Sequence, residues 1–135
     1  MSLNSCHNFQ DFRKLAKSRL PSPVFHYIDG AADDELTKGR NTSAFDDVDL
    51  IPNVLAGVED VDLSTTLFGK KISMPLYCSP VAIQRLFHHE GERAVAKAAA
   101  KYETMFGVSS LSTVSVEDIQ KLVDTPKMFQ FYFHK

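Results

Sequence analysis

Apolar residues recur at three- and four-residue intervals near the start of the chain, at Phe9, Phe12, Leu15, Ala16 and Leu20. That spacing predicts an amphipathic helix, with Asn8 placed to cap its first turn. A second helix is expected where Ser22 can cap and Pro23 can take the first helical position; it runs through Val24, Phe25, Tyr27 and Ile28 and stops at Gly30. A third starts at Asp33 or Asp34 and continues through Leu36 to Phe45.

From Val48 to Met74 the periodicity is lost and turn residues dominate. Within that stretch Thr65-Thr66-Leu67, Phe68-Gly69 and Lys70 to Ser73 predict a short hairpin around the glycine. After Pro75 short apolar runs alternate with helical stretches. Leu76 to Ser79, Met105 to Val108 and Met128 to Phe133 read as strands. Gly91 to Tyr102 reads as a helix, and Ser115-Val116-Glu117-Asp118 has the form of a capping box that opens another through Ile119, Leu122 and Val123. Strands alternating with helices in this way imply parallel pairing and right-handed crossovers. The expected class is therefore α/β, with residues 1–74 forming a helical segment and hairpin and residues 75–135 holding three strands and two helices.

Composition narrows the function. The chain is 44% hydrophobic and 24% charged, with a net charge of −2, the balance of an ordinary globular domain. No basic stripe points to nucleic acid, and no apolar run is long enough to be an integral membrane segment. The first residues lack a basic region followed by an apolar run, so no secretory signal is read there. Cys6 and Cys78 form no CxxC motif or disulfide framework, and the five histidines have no metal-ligand spacing. A reducing, cytoplasmic setting is the expectation.

Candidate chemistry is expected at the ends of the strands. In the last one Phe129, Phe131 and Phe133 alternate with Gln130, Tyr132 and His134. In a closed parallel barrel the phenylalanines would pack on outer helices and the polar set would face inward, near the strand's C-terminal end, where such barrels place their sites. A half-exposed edge strand fits the same alternation. Ser79-Pro80-Val81-Ala82 offers small side chains against which a flat ring could lie, although an ordinary strand-to-loop turn has this composition too. Ser109 to Thr113 supplies hydroxyls at the end of the second strand, and a simple polar loop reads the same way.

Leu20-Pro21, Phe25 to Ala31, Asp34-Glu35, Arg40-Asn41 and Ala44-Phe45 resemble the entry segment of the FMN-dependent 2-hydroxy-acid oxidases and dehydrogenases. That family includes glycolate oxidase, L-lactate dehydrogenase, mandelate dehydrogenase and flavocytochrome b2. The resemblance continues through Thr65 to Gly69, Ser73-Met74-Pro75, Ser79 to Ala82, Glu90-Gly91-Glu92, Ser109 to Glu117 and Phe129 to Tyr132. It implies the N-terminal part of a (β/α)8 TIM barrel that binds FMN.

By the same resemblance, Pro80, Val81 and Ala82 would lie against the flavin ring and Ser109 would hydrogen-bond it. Gln130 would pair with the flavin's pyrimidine edge, and Phe131 and Tyr132 would complete that strand of the cofactor site. Tyr132 is the implied catalytic tyrosine, and Tyr27 and Tyr132 the implied substrate contacts. Val81 departs from a commoner Thr or Ser-like residue, and Phe131 from a commoner Leu.

The implied reaction is oxidation of an L-2-hydroxy acid such as lactate, glycolate or mandelate to the 2-keto acid, with two electrons passing to FMN. The family's histidine base, carboxylate-binding arginine and flavin-side lysine belong to later strands, which this match does not reach. FMN is accordingly expected to be held weakly or not at all by this chain alone. The expected partners are a small 2-hydroxy acid and either a second copy of the chain or a complementary barrel chain covering the unfinished sheet. The alternative is a catalytically incomplete partial barrel that self-associates without turnover. The cytoplasmic expectation read from the cysteines leaves room for peripheral association with a membrane electron acceptor.

Overall fold

The computed structural model describes residues 2–133. The chain divides into two compact units at Gly57 and Val58.

In the first unit, α1 (Phe9–Arg19) is capped as expected: the Asn8 side chain accepts from the Asp11 N–H at 3.0 Å. Its Leu15 and the Phe25 of α2 (Ser22–Asp29) are the buried apolar residues of the two helices. Ser22 is not the cap of α2. Pro21 holds that position and Ser22 is already helical. The Arg13 guanidinium forks onto the Asp29 carboxylate at 2.5 and 2.8 Å, joining α1 to α2, and this hydrogen bonding draws the carboxyl below its ordinary range. The third helix, α3 (Leu36–Ser43), is shorter than its sequence pattern suggested. Asp33 and Glu35 both have left-handed backbone, with φ of 48° and 56°, so helical geometry begins only after them.

The second unit opens with the expected hairpin, β1 (Thr65–Leu67) against antiparallel β2 (Lys70–Ile72). Phe68 and Gly69 have φ of 49° and 72°, the pair of positive values a type I′ turn needs, and glycine supplies the second without steric cost. The hairpin is fastened at Ser73, whose N–H donates to Glu103 O and whose hydroxyl donates to Tyr102 O.

Three parallel segments follow. β3 (Phe106–Val108) lies between Cys78 and β4 (Lys127–Phe129), with Phe106, Gly107 and Val108 in register with Lys127, Met128 and Phe129. The expected strand over Leu76 to Ser79 reduces to a single parallel bridge at Cys78, made by Cys78 N–H to Met105 O and Gly107 N–H to Cys78 O. Pro75 and Pro80 bracket that segment, and neither has an N–H with which to extend a ladder.

α4 (Glu92–Lys101) and α5 (Val116–Leu122) follow the first and second of these segments. Ser115 caps α5 by accepting from Asp118 N–H at 3.1 Å. The core joins Ala96 and Ala99 of α4, Phe106 and Val108 of β3, Val114, and Ile119 of α5, with Cys78, Val95 and Val123 packed around them. At the N-terminal ends of the strands, the Thr104 hydroxyl donates to Leu76 O and the Thr125 hydroxyl to Thr104 O.

The expected packing of the last strand's aromatic face is not met. Regular pairing ends at Phe129, and Phe129, Phe131 and Phe133 are 53%, 75% and 79% exposed. α4 and α5 pack on β3, and among the described residues no helix covers the phenyl rings of this edge strand. His134, expected on the face of Gln130, lies outside the described residues.

Ile119 is fully buried at the meeting of α5, α4 and β3, so Ile119→Ala should lower unfolding free energy by about 2–5 kcal/mol. Urea unfolding followed by circular dichroism measures it. A loss well below about 1 kcal/mol would mean that α5 is not packed as described.

Candidate functional site

Because β3 and its neighbours run parallel, the residues that follow them leave the sheet at one edge: Ser79 to Ala82, Ser109 to Thr113, and Gln130 to Phe133. Along β3 the side chains alternate, so Phe106 and Val108 serve the helix-packed core while Gly107 and Ser109 face the other way. Pro80 fits over Gly107, where a Cβ would stand 2.6 Å from the proline Cδ.

Ser109 is buried, and its hydroxyl donates to Gln130 Oε1 at 3.0 Å while accepting from the Leu111 N–H at 3.1 Å. Gln130 itself is tied back by its N–H to Val108 O at 2.9 Å. Two residues that sequence reading assigned to one site thus meet across neighbouring strand ends. Val81 is 37% exposed, and Ala82 is half-buried. Phe131 is exposed and Tyr132 is 49% exposed, both just past the end of β4. Tyr27 belongs to the first unit, on α2, and is 57% exposed.

Sequence reading gave Glu92 no role, yet it is fully buried. Its Oε1 accepts from the N–H groups of Gln84, at 3.2 Å, and Thr113, at 2.8 Å; its Oε2 accepts from the Thr113 hydroxyl at 2.6 Å. Burial alone would raise its pKa, but the bonds from Thr113 and the backbone outweigh that and hold it below the ordinary range. In the sequence it looks like one more acidic residue in a first helical turn, since nothing local reveals that two loops close over it.

The loop between Pro80 and Glu92 also carries a strained backbone. Ile83 has φ 44°, unusual for a β-branched residue, and its N–H donates to Leu111 O at 2.9 Å. A short 3₁₀ turn, Gln84–Leu86, follows it.

Small side chains beside exposed backbone, a hydroxyl and a primary amide at one edge of a parallel sheet suit a flat ligand with a polar rim. A twisted parallel sheet with helices on one face and its polar groups at the strands' C-terminal ends is the beginning of a β/α barrel.

The comparisons identify the barrel. Residues 16–135 match the family model described as FMN-dependent dehydrogenase, and the chain belongs to that family. It is 39% identical over 125 residues to L-lactate dehydrogenase of Vibrio parahaemolyticus, covering 93% of this chain and 33% of that one. Against glycolate oxidase of Spinacia oleracea it is 37% identical over 128 residues, covering 95% and 35%. Among solved structures, a soluble mutant of the membrane-associated (S)-mandelate dehydrogenase from Pseudomonas putida superposes with a TM-score of 0.85 at 35% identity, covering 93% of this chain and 36% of that one. The chain thus spans about a third of the length of these relatives, and its fold is the N-terminal part of a TIM barrel. Among the described residues no helix is long and apolar enough to cross a membrane.

The depressed Glu92 pKa has a consequence for stability. A carboxylate whose folded pKa lies below its unfolded value stabilises the fold above the unfolded value, here the ordinary 4.5, and that contribution is lost as pH falls through the folded value. Urea midpoints of the wild-type chain should therefore drop more steeply between about pH 5 and 3 than those of Glu92→Gln. Parallel declines in the two proteins would contradict it.

Proposed function

We propose that this chain forms one wall of the flavin and substrate site of an FMN-dependent enzyme that oxidises an L-2-hydroxy acid to the 2-keto acid. The Ser109–Gln130 hydrogen bond carries the reading, because it brings a hydroxyl and an amide together at adjoining strand ends. In this role the backbone at Pro80, Val81 and Ala82 lies along the ring. Ser109 and Gln130 meet its pyrimidine edge, the amide offering one donor and one acceptor end to alternating N–H and carbonyl groups. Phe131 and Tyr132 close that side.

FMN, when bound, supplies the acceptor for the two electrons that leave the hydroxy acid. The chain's own contribution is binding and orientation. Tyr132 acts beside the substrate hydroxyl as a phenolic hydrogen-bond donor, and the family resemblance alone assigns Tyr27 to the substrate carboxylate. L-lactate, glycolate and mandelate are the substrate class suggested by the relatives, which include an L-lactate dehydrogenase, a glycolate oxidase and an (S)-mandelate dehydrogenase.

A second reading, a partial barrel that self-associates without turnover, is favoured by one observation. Phe129, Phe131 and Phe133 stand exposed along and beyond β4, an edge strand among the described residues. Such an edge invites a second chain.

Titration of the purified chain with FMN, followed by quenching of flavin fluorescence, separates the two. The first reading predicts weak quenching, saturable at high FMN concentration, that Ser109→Ala or Gln130→Leu weakens further by about fivefold or more, the worth of one net hydrogen bond. No saturable quenching, together with a stable oligomer in light scattering, would favour the second reading over the first.

A further inference from the structure

Two loops that leave neighbouring parallel strands have no ladder to hold them together beyond the sheet. Here they are joined by Glu92. Its carboxylate takes the Gln84 N–H from the first loop, and the N–H and hydroxyl of Thr113 from the second. The acceptor is ionic and fully buried, so each bond is charge-assisted and shielded from water. Placement on the first turn of α4 adds the favourable field of a helix start.

The clamp adjoins the strained point of the first loop. Gln84 follows Ile83, which holds a left-handed backbone and donates to Leu111 O at 2.9 Å. Leu111 in turn donates its N–H to the Ser109 hydroxyl, which donates onward to Gln130. The Gln84 side chain donates to Val81 O at 3.3 Å. Hydrogen bonds and the short stretches of chain between them therefore lead from the Glu92 carboxylate to the backbone at Val81 on one side and to Ser109 and Gln130 on the other.

We infer that Glu92 is a positioning residue: it holds the loop carrying Pro80 to Ala82 in register with the loop carrying Ser109, so that both are presented together to a flavin. The flavin part of this inference rests on the function proposed above. The clamp itself does not.

Three variants separate charge from geometry. In Glu92→Gln the amide oxygen can take both N–H groups while the amide nitrogen donates to the Thr113 hydroxyl, which turns from donor to acceptor. The geometry survives without the charge. Glu92→Leu removes every acceptor, and Thr113→Val removes the hydroxyl bond alone, leaving a readable protein should the leucine variant fail to fold.

Amide hydrogen exchange and flavin titration on the 135-residue chain give two independent readouts. Glu92→Leu should lower protection about tenfold at Gln84 and Thr113 and extend the loss to Ile83 and Leu111, with amides in α5 unchanged; Thr113→Val should do so more weakly and Glu92→Gln hardly at all. FMN affinity should fall about tenfold in Glu92→Leu, measurably in Thr113→Val, and stay within about threefold in Glu92→Gln. Exchange losses confined to Gln84 and Thr113, or spread evenly over the whole unit, would overturn the inference, as would wild-type FMN affinity in both Glu92→Leu and Thr113→Val. If the wild-type chain itself binds no FMN, the proposed function fails for this chain, and the exchange pattern alone decides whether Glu92 couples the loops.

Discussion

Burying β3 obliges its backbone to find hydrogen-bond partners in its neighbours, because an unpaired peptide group away from water is costly. Phe106, Gly107 and Val108 are all buried, and they are paired to Cys78 on one side and to β4 on the other. Both neighbours run parallel to β3, so α4 and α5 must carry the chain back between them. The direction of the strands then decides the rest. Three successive segments release their following residues at one edge, and small, hydroxyl and amide side chains from distant parts of the sequence gather there without any local signal requiring it.

What could be read beforehand was whatever depends on short-range regularity. The period of α1, the Asn8 and Ser115 caps, the Phe68-Gly69 turn and the helix–strand alternation after Pro75 are each encoded within a few residues. Misreadings arose where the deciding contact was not local. Leu76 to Ser79 has strand composition, but the flanking prolines leave little backbone able to pair. Asp33 and Asp34 look like helix starts, while left-handed turns at Asp33 and Glu35 delay α3 to Leu36. The last strand was expected to run from Met128 to Phe133, yet it ends at Phe129, and its phenylalanines stay exposed while the helix-packed core is formed around β3.

The site was legible in a similar proportion. Alternation indicated that Gln130 should leave β4 on the opposite side from the phenylalanines, and it hydrogen-bonds Ser109 across the strand ends. Glu92 was invisible as anything but a first-turn glutamate, because its importance comes from the two loops that close on it. Buried charge of this kind tolerates little change when its partners are removed, since the ion would be left unpaired in the interior. Membership of the FMN-dependent dehydrogenase family supports the role proposed for this edge of the sheet, while the hydrogen bonds explain why these residues stay there.

We propose that the C-terminal ends of the three parallel segments form a flavin-facing surface. The most direct measurement is a nuclear magnetic resonance titration of the isotope-labelled chain with FMN, read amide by amide. At FMN concentrations high enough for weak binding, saturable shifts centred on Ala82, Ser109 and Gln130 are expected, with the N-terminal strand ends around Thr104 and Thr125 unmoved. Shifts centred on Thr104 and Thr125, or no saturable shift anywhere in residues 58–133, would contradict it.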